Sequence, residues 1–270
     1  MIVAQAGEER KKESRQASIL RLLEQNFYVG IEEIAERFSV TTQTARRDIL
    51  ALEEAGKVRR LHGGAVLSTP LDTGVYRQRR VDNAARKEQI GKLVADLVPD
   101  GSTLFIDSGT TCEAIAHAIL SRSHLRVVTY SLRVATILSE SSNFTLAVPG
   151  GFVRPVHGGI FQEDTAGFIR RFKFDCAIIS VSGIDGDGDI CDDDQAEAAI
   201  ANAAMAQAQR KILAVDSSKF GKSAMVRLGS VTKMDTLVTD THPEGGILRI
   251  LEENGVEIVC SSRAVTEKLG

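Results

Sequence analysis

What this chain lacks narrows its function before any motif is read. No run approaches about 18 consecutive apolar residues, which argues against a membrane-spanning helix. Met1 to Lys12 carries polar and charged residues where a signal peptide needs an apolar centre, so the expected location is the cytoplasm, with no membrane partner. Cysteine is sparse. Cys112, Cys176, Cys191 and Cys260 lie far apart with no Cys-x-x-Cys pair, which argues against a disulfide framework and a zinc site and leaves reduced, packed thiols. The histidines also lack metal-ligand spacing, so neither a metal nor another cofactor is expected.

What is present is ordinary in bulk and uneven in distribution. At about 150 residues per domain, 270 residues suggest two domains, and 43% apolar content suffices for a full core. Residues 1–90 hold 16 Lys/Arg against 13 Asp/Glu, while residues 91–270 hold 17 against 23. That split suits a nucleic-acid-binding front and a differently employed rear.

From Ser14 the front reads as three short helices. Ile19, Leu22 and Leu23 mark the apolar side of the first, and Ile31, Ile34, Ala35 and Phe38 form a stripe on the second. After a turn, Thr41 is placed to cap a helix over residues 42–55 that Gly56 stops. Its inward stripe is Ala45, Ile49 and Leu52, which turns Gln43, Arg46 and Arg47 the other way, with Thr41, Thr42 and Thr44 at the same helix start. Arg meets a guanine edge or a phosphate with two donors, Gln meets adenine, and the helix N-terminus attracts phosphate. Two helices across a short turn make a helix-turn-helix. The following Val58–Leu67, two β-like runs around Gly63-Gly64, reads as a wing that brings Arg59, Arg60 and His62 to the DNA backbone.

The run from Phe38 to Ile49, FSVTTQTARRDI, followed by Leu61-His-Gly-Gly-Ala65, resembles the winged helix-turn-helix signature of the DeoR family of bacterial transcriptional repressors. Against the usual family pattern, Ala45 replaces an aliphatic residue and Thr42 a frequent proline. These features place the DNA-binding domain at residues 14–67 and a linker at 68–86, where Pro70 and Gly74 interrupt any sustained period.

Residues 87–260 read as a mostly parallel α/β domain. Strands are expected at 103–106, 126–129, 145–148, 176–181, 211–215, 236–238 and 256–259, alternating with helices that cover both faces. Ligands in such folds sit beyond the carboxyl ends of strands. The small and polar clusters fall there. Ser108, Gly109, Thr110 and Thr111 offer hydroxyls and backbone N–H groups at a helix start, a geometry that serves either as a plain helix cap or as a phosphate cradle. The loop lacks the lysine of a Walker sequence, which argues against nucleotide hydrolysis. Asp107 begins this loop, while Thr129, Tyr130, Gly150, Gly151, Arg154 and Lys219 lie at neighbouring ends.

The segments Gly101–Thr111, Pro149-Gly-Gly-x-x-Arg154 and Val215–Gly221 resemble the DeoR-type sensor domain, related in fold to sugar-phosphate isomerases. That resemblance implies phosphate sensing. The segments 157–160, 182–188 and 219–225 are most similar to family members that respond to glycerol 3-phosphate, although Tyr130 stands where the family commonly has Asn. The acidic run Asp185–Asp194 departs from an EF-hand, with Ile190 at the position of the turn glycine and Ala196 at the last ligand, so a loop or hairpin is expected. Asp185 and Glu197 are the candidates for ligand hydroxyls.

The expected function is repression of carbohydrate or polyol catabolism by a homodimer or homotetramer that binds operator DNA and releases it on meeting glycerol 3-phosphate or a sugar phosphate. An alternative is an active sugar-phosphate isomerase fused to a DNA-binding module, with Asp107, Asp185 or Glu197 as base. A degenerate sensor on an architectural DNA-binding protein is a third.

Overall fold

The computed structural model describes residues 2–25, 28–61, 63–67, 74–155 and 157–262, and the chain divides into two compact units, Met1–Ala84 and Ala85–Gly270. The first unit runs α1 (Ile2–Gln25), β1 (Val29–Gly30), α2 (Ile31–Arg37), α3 (Thr42–Glu54), β2 (Val58–Leu61), β3 (Gly64–Leu67) and α4 (Gly74–Val81). Its core gathers Ile19, Leu22 and Leu23 from α1, Ile31, Ile34 and Ala35 from α2, and Ala45, Ile49 and Leu52 from α3. Each fully buried Ile or Leu among them contributes about 1.5–3 kcal/mol, so the three stripes decide the packing. Thr41 caps α3 by accepting the Thr44 N–H at 3.1 Å, and Gly56, at φ 70°, follows its end.

Two expectations change here. The first helix begins at Ile2 rather than Ser14, because a helix can extend into a polar segment whose residues favour it without any apolar stripe to mark it. The span read as a linker contains α4 over Gly74–Val81, and α5 opens at Ala84. The run Tyr76–Val81 has no breaker, and Tyr76 supplies a buried ring.

The second unit opens with α5 (Ala84–Leu97), β4 (Thr103–Ile106), α6 (Thr110–Ile119), β5 (Arg126–Val128), α7 (Leu132–Leu138) and β6 (Thr145–Ala147). The hairpin β7 (Phe152–Val153) and β8 (Ile160–Phe161), α8 (Thr165–Arg170), β9 (Phe174–Ile179), β10 (Gly183–Ile184) and β11 (Asp189–Asp192) follow. It closes with α9 (Gln195–Met205), β12 (Ala208–Ala214), a 3₁₀ turn at Ser217–Lys219, β13 (Val226–Ser230), a second 3₁₀ turn at Val231–Lys233, β14 (Thr236–Thr241), α10 (Gly245–Glu253) and β15 (Glu257–Ser262).

Seven strands form one parallel sheet in the order β15-β14-β12-β9-β4-β5-β6. They are the seven expected from the sequence, with shifted ends. Alternation along each strand feeds two cores. Leu104, Ile106, Cys176, Ile178 and Ile212 pack on one face, while Phe105, Ala177, Ile179 and Leu213 pack on the other. The acidic run forms the hairpin β10–β11, which pairs with β13 in a separate antiparallel sheet. The chain leaves β4 toward β5 and β6, then returns to β9 on the opposite side of β4. That reversal opens a crevice above the carboxyl ends of β4 and β9, the usual ligand position in open parallel sheets.

Candidate functional site

The first unit presents a polar helix face beside a two-stranded wing. In α3, Thr42, Gln43, Arg46 and Arg47 are exposed, and Thr44 is half-buried beside the exposed cap Thr41, whose Oγ1 lies 2.9 Å from the Thr44 hydroxyl. On the inward side of α3, Asp48 is buried and is held by Arg15 Nε at 2.5 Å, Arg15 Nη2 at 3.2 Å and Gln16 Nε2 at 3.2 Å. A buried carboxylate is tolerated when paired and hydrogen-bonded, and this one fastens α3 to α1. No sequence period revealed it.

The wing is β2 paired antiparallel with β3, with Arg59 opposite Val66 and Arg60 opposite Ala65. β1 adds a third strand, setting Gly30 opposite Gly64. A Cβ on Gly64 would stand 2.3 Å from the Val29 carbonyl oxygen and 2.5 Å from the Tyr28 ring, so only glycine permits this approach. Arg60 is ion-paired with Glu53 of α3, and its backbone N–H donates to the same carboxylate at 2.9 Å, which ties the wing to the helix. His62 lies outside the described residues.

In the second unit the crevice holds a connected polar cluster. Asp107, at the end of β4, is wholly buried and accepts from the Ser108 N–H at 2.8 Å, the Tyr130 hydroxyl at 2.9 Å and, across the crevice, the Ser180 N–H at 3.4 Å. Burial pushes its carboxyl well above the usual range, and the nearby charges of Glu197 and Asp192 add to this, against the Ser108 and Tyr130 hydrogen bonds. Burial likewise raises the Tyr130 phenol, reinforced by Asp107 and Glu197, so it remains a donor at neutral pH. Its oxygen also lies 3.0 Å from Ser108 Oγ, which sits 3.5 Å from Glu197 Oε2. Glu197 Oε1 is 3.0 Å from His157 Nε2. His157 Nδ1 accepts the Gly159 N–H at 3.2 Å, which leaves Nε2 to carry a proton toward Glu197.

Gly109 forms the N-cap of α6 at φ 111° and ψ 166°, a backbone state that side-chain-bearing residues rarely adopt. The N–H groups of the first helical turn have no intrahelical acceptor, so those of Thr110, Thr111 and Cys112 point out of the helix start. Ser108, Thr110 and Thr111 are nearly buried around it. Helix dipole, N–H groups and hydroxyls together suit an anion.

Other expected site residues are placed differently. Arg154 is ion-paired with Asp194 and lies 3.8 Å over the Phe161 ring. Asp194 caps α9 through the N–H groups of Ala196 at 2.7 Å and Glu197 at 3.2 Å, so Arg154 braces the helix that carries Glu197. Burial raises the Asp194 carboxyl, but the hydrogen bonds from Glu197, Arg154 and Ala196 outweigh it and bring it below its ordinary value. Gly150 and Gly151 occupy the connection from β6 to β7. Thr129 is fully buried, and its hydroxyl accepts the Ser131 N–H at 3.0 Å, fixing the turn after β5. Asp185 is taken up by the β10–β11 turn, where it accepts from Asp187 N–H at 3.0 Å and Asp189 N–H at 2.9 Å. Lys219 ends the 3₁₀ turn after β12. No group of three or more His, Cys, Asp or Glu suited to a metal occurs among the described residues.

Sequence reasoning missed the partnership of His157 with Glu197. It also missed the buried pair Arg133–Glu113, 3.8 Å apart on α7 and α6. The signal for that pair was one acidic residue in the mostly apolar α6 and one basic residue in the mostly apolar α7.

Comparison with known proteins places both units. Residues 15–70 match the family model described as DeoR-like helix-turn-helix domain, and residues 82–241 match the DeoR C terminal sensor domain. The Glycerol-3-phosphate regulon repressor of Escherichia coli (strain K12) is 40% identical over 248 residues, covering 92% of this chain and 98% of that protein. The HTH-type transcriptional repressor CsqR of the same organism is 38% identical over 245 residues, covering 91% and 94%. The Glycerol-3-phosphate regulon repressor of Haemophilus influenzae is 36% identical over 253 residues, covering 94% and 99%. Among solved structures, ribose 5-phosphate isomerase a from Methanocaldococcus jannaschii aligns with 51% of this chain and 55% of its own at 13% identity and a TM-score of 0.39, a likeness from which no function is transferred. No helix among the described residues is long and apolar enough to cross a membrane. The chain belongs to the DeoR family of helix-turn-helix transcriptional repressors and is a regulator rather than an enzyme.

Proposed function

We propose that this repressor grips operator DNA with α3 and its wing, and lets go when a small phosphorylated ligand, glycerol 3-phosphate, occupies the crevice above β4 and β9. The observation that carries this reading is the start of α6, where Ser108, Gly109, Thr110 and Thr111 gather anion-binding groups at the topological reversal of the sheet. The name of the Escherichia coli relative supports the choice of effector. Arg154 and Lys219 supply positive charge at neighbouring strand ends, and Glu197 with His157 meets the ligand's hydroxyls. Functionally the chain divides into a DNA-binding part at 14–67, a connection at 68–86 and a sensor at 87–260. It acts in the cytoplasm on DNA half-sites that require a homodimer or homotetramer.

For the ligand to induce, it must bind the DNA-incompetent state more tightly than the competent one, with a coupling of about 5–150-fold in typical cases. A gel shift on the DNA upstream of the protein's own gene, with and without glycerol 3-phosphate, tests DNA site, effector and coupling together. A complex that forms and then dissociates with the ligand is the expected result. Calorimetry against glycerol 3-phosphate and a panel of sugar phosphates runs beside it, and an absence of binding to every one would overturn the sensor reading.

A further inference from the structure

The join between the two units falls between Ala84 and Ala85. Asn83, at φ 60°, turns the backbone out of α4, and α5 begins at the next residue. The first turn of α5 then carries Arg86, a poor choice on local grounds, since a cation opposes the helix dipole at an N-terminus. Its tertiary partners account for it. Arg86 Nη1 donates to Ser217 Oγ at 2.9 Å, and its Nε lies 3.4 Å from Asp240 Oδ2.

Those partners lie at the carboxyl ends of β12 and β14, on the side of the sheet where the effector is proposed to bind. Asp240 is buried at the carboxyl end of β14 and accepts from the Ser217 N–H at 2.6 Å and the Ser217 hydroxyl at 3.0 Å. Ser217 opens the 3₁₀ turn after β12, which buried Asp216 caps through the Ser218 N–H at 3.0 Å and which ends at Lys219. A single short turn therefore has Lys219 at one end and the Arg86 clasp at the other. The clasp is a charge-assisted arrangement with a buried anchor, Asp240, and a half-exposed arm, since the Arg86 side chain keeps 48% of its surface in solvent. An arm of that kind can release without opening the core.

We propose that Arg86 is the coupling residue of this repressor, through which a phosphate held at the start of α6, with Lys219 as its second contact, alters the hold on the start of α5 and thereby the DNA-binding unit. The inference rests on the proposed effector site. Ligand and operator each favour a different state of the clasp, which is the differential affinity that any induced change requires.

The test measures two quantities on full-length protein: calorimetric affinity for glycerol 3-phosphate, and operator affinity with and without saturating ligand. In the wild type the ligand weakens operator binding by about 5–150-fold, the usual range of allosteric coupling. In Arg86→Gln, ligand affinity stays within about threefold of wild type while the ratio of operator affinities falls below about twofold, the range in which a typical coupling has vanished. The ratio is the readout because loss of a cation can shift operator binding equally with and without ligand. Ser217→Ala removes the hydroxyl that Arg86 holds while keeping Asp240, and its ratio falls too. A wild-type ratio in Arg86→Gln, with ligand still bound, overturns the proposal. Loss of ligand binding in that variant also overturns it, by making Arg86 part of the binding site. A wild-type protein that binds the operator but does not respond to glycerol 3-phosphate refutes the effector reading, and the coupling role falls with it.

Discussion

Replacing Tyr130 by Phe isolates one hydroxyl in the sensor crevice. The ring is fully buried, stacked on Phe105 with centroids 6.4 Å apart and edge-on to Phe161 at 5.6 Å. Phe fills the same volume, so no cavity opens. What disappears is the donor to Asp107 Oδ1 at 2.9 Å and the partner of Ser108 Oγ at 3.0 Å. The phenol has one proton, so it donates to Asp107 while accepting from Ser108. Asp107 is then left with the Ser108 N–H at 2.8 Å and a long contact to the Ser180 N–H at 3.4 Å.

Leaving a buried acceptor short of a donor costs about 1–3 kcal/mol. For a unit of about 150–250 residues each kcal/mol moves the midpoint by about 2–4 °C, so the second unit should melt roughly 2–12 °C lower. Tyr130→Asn also gives up the packed ring, and truncating a buried aromatic costs about 3–5 kcal/mol, so it should fall further. Differential scanning calorimetry at neutral pH checks both. A Tyr130→Phe midpoint indistinguishable from wild type would mean that the phenol does not support Asp107, and the hydrogen-bonded cluster would have to be redrawn. Effector affinity provides the second measure: with the phenol occupied by protein groups, its loss should act only through the placement of Ser108, weakening binding rather than abolishing it.

Three further outcomes follow from the geometry. Arg47→Ala should weaken operator binding by roughly 5–150-fold at fixed salt, the equivalent of about 1–3 kcal/mol for one good base contact, while leaving effector calorimetry unchanged; unaltered operator affinity would remove Arg47 from the reading set. Gly64→Ala forces a Cβ against the Val29 carbonyl and the Tyr28 ring, and should destabilise the first unit by about 1–3 kcal/mol with loss of operator binding, seen as a lower first-unit melting transition beside an unmoved second one. The raised Asp107 carboxyl stabilises fully below its unfolded value near about 4, and that contribution is lost as pH rises through the folded value, so urea titrations should show wild type losing stability relative to Asp107→Asn as pH rises from about 4. A wild-type-to-variant difference that does not change with pH would contradict the sign.

Local signals carried most of the fold. The cap at Thr41, the stripe Ala45, Ile49 and Leu52 and the stop at Gly56 lie within sixteen residues (41–56), so α3 could be read directly. The central sheet strands were legible because burial on both faces makes them short apolar runs, Leu104–Ile106 in β4 and Cys176–Ile179 in β9. The small β7–β8 hairpin, with two residues in each strand, offered no period to detect. Contacts between distant residues were not legible either. Asp48 looked like a polar position on α3 until its partner Arg15, 33 residues away, put it inside. Ser108 and Glu197 are 89 residues apart, and only the return of the chain to β9 beside β4 brings α9 over the crevice.

That juxtaposition constrains how an effector sits on the proposed reading. Asp107, Glu197 and Asp192 place carboxylates around one side of the crevice, close enough for the latter two to raise the Asp107 carboxyl. A phosphate on that side would meet like charge. The start of α6 offers the opposite, with unpaired N–H groups, the positive end of the helix and the hydroxyls of Thr110 and Thr111. Glu197 and His157 then face the remainder of the ligand, where an acceptor and a proton-bearing nitrogen can hold neutral hydroxyls. A simple inorganic anion uses only the first half of this arrangement, and an uncharged polyol only the second. A small polyol phosphate would use both, so on the proposed reading glycerol 3-phosphate should bind more tightly than inorganic phosphate or glycerol alone.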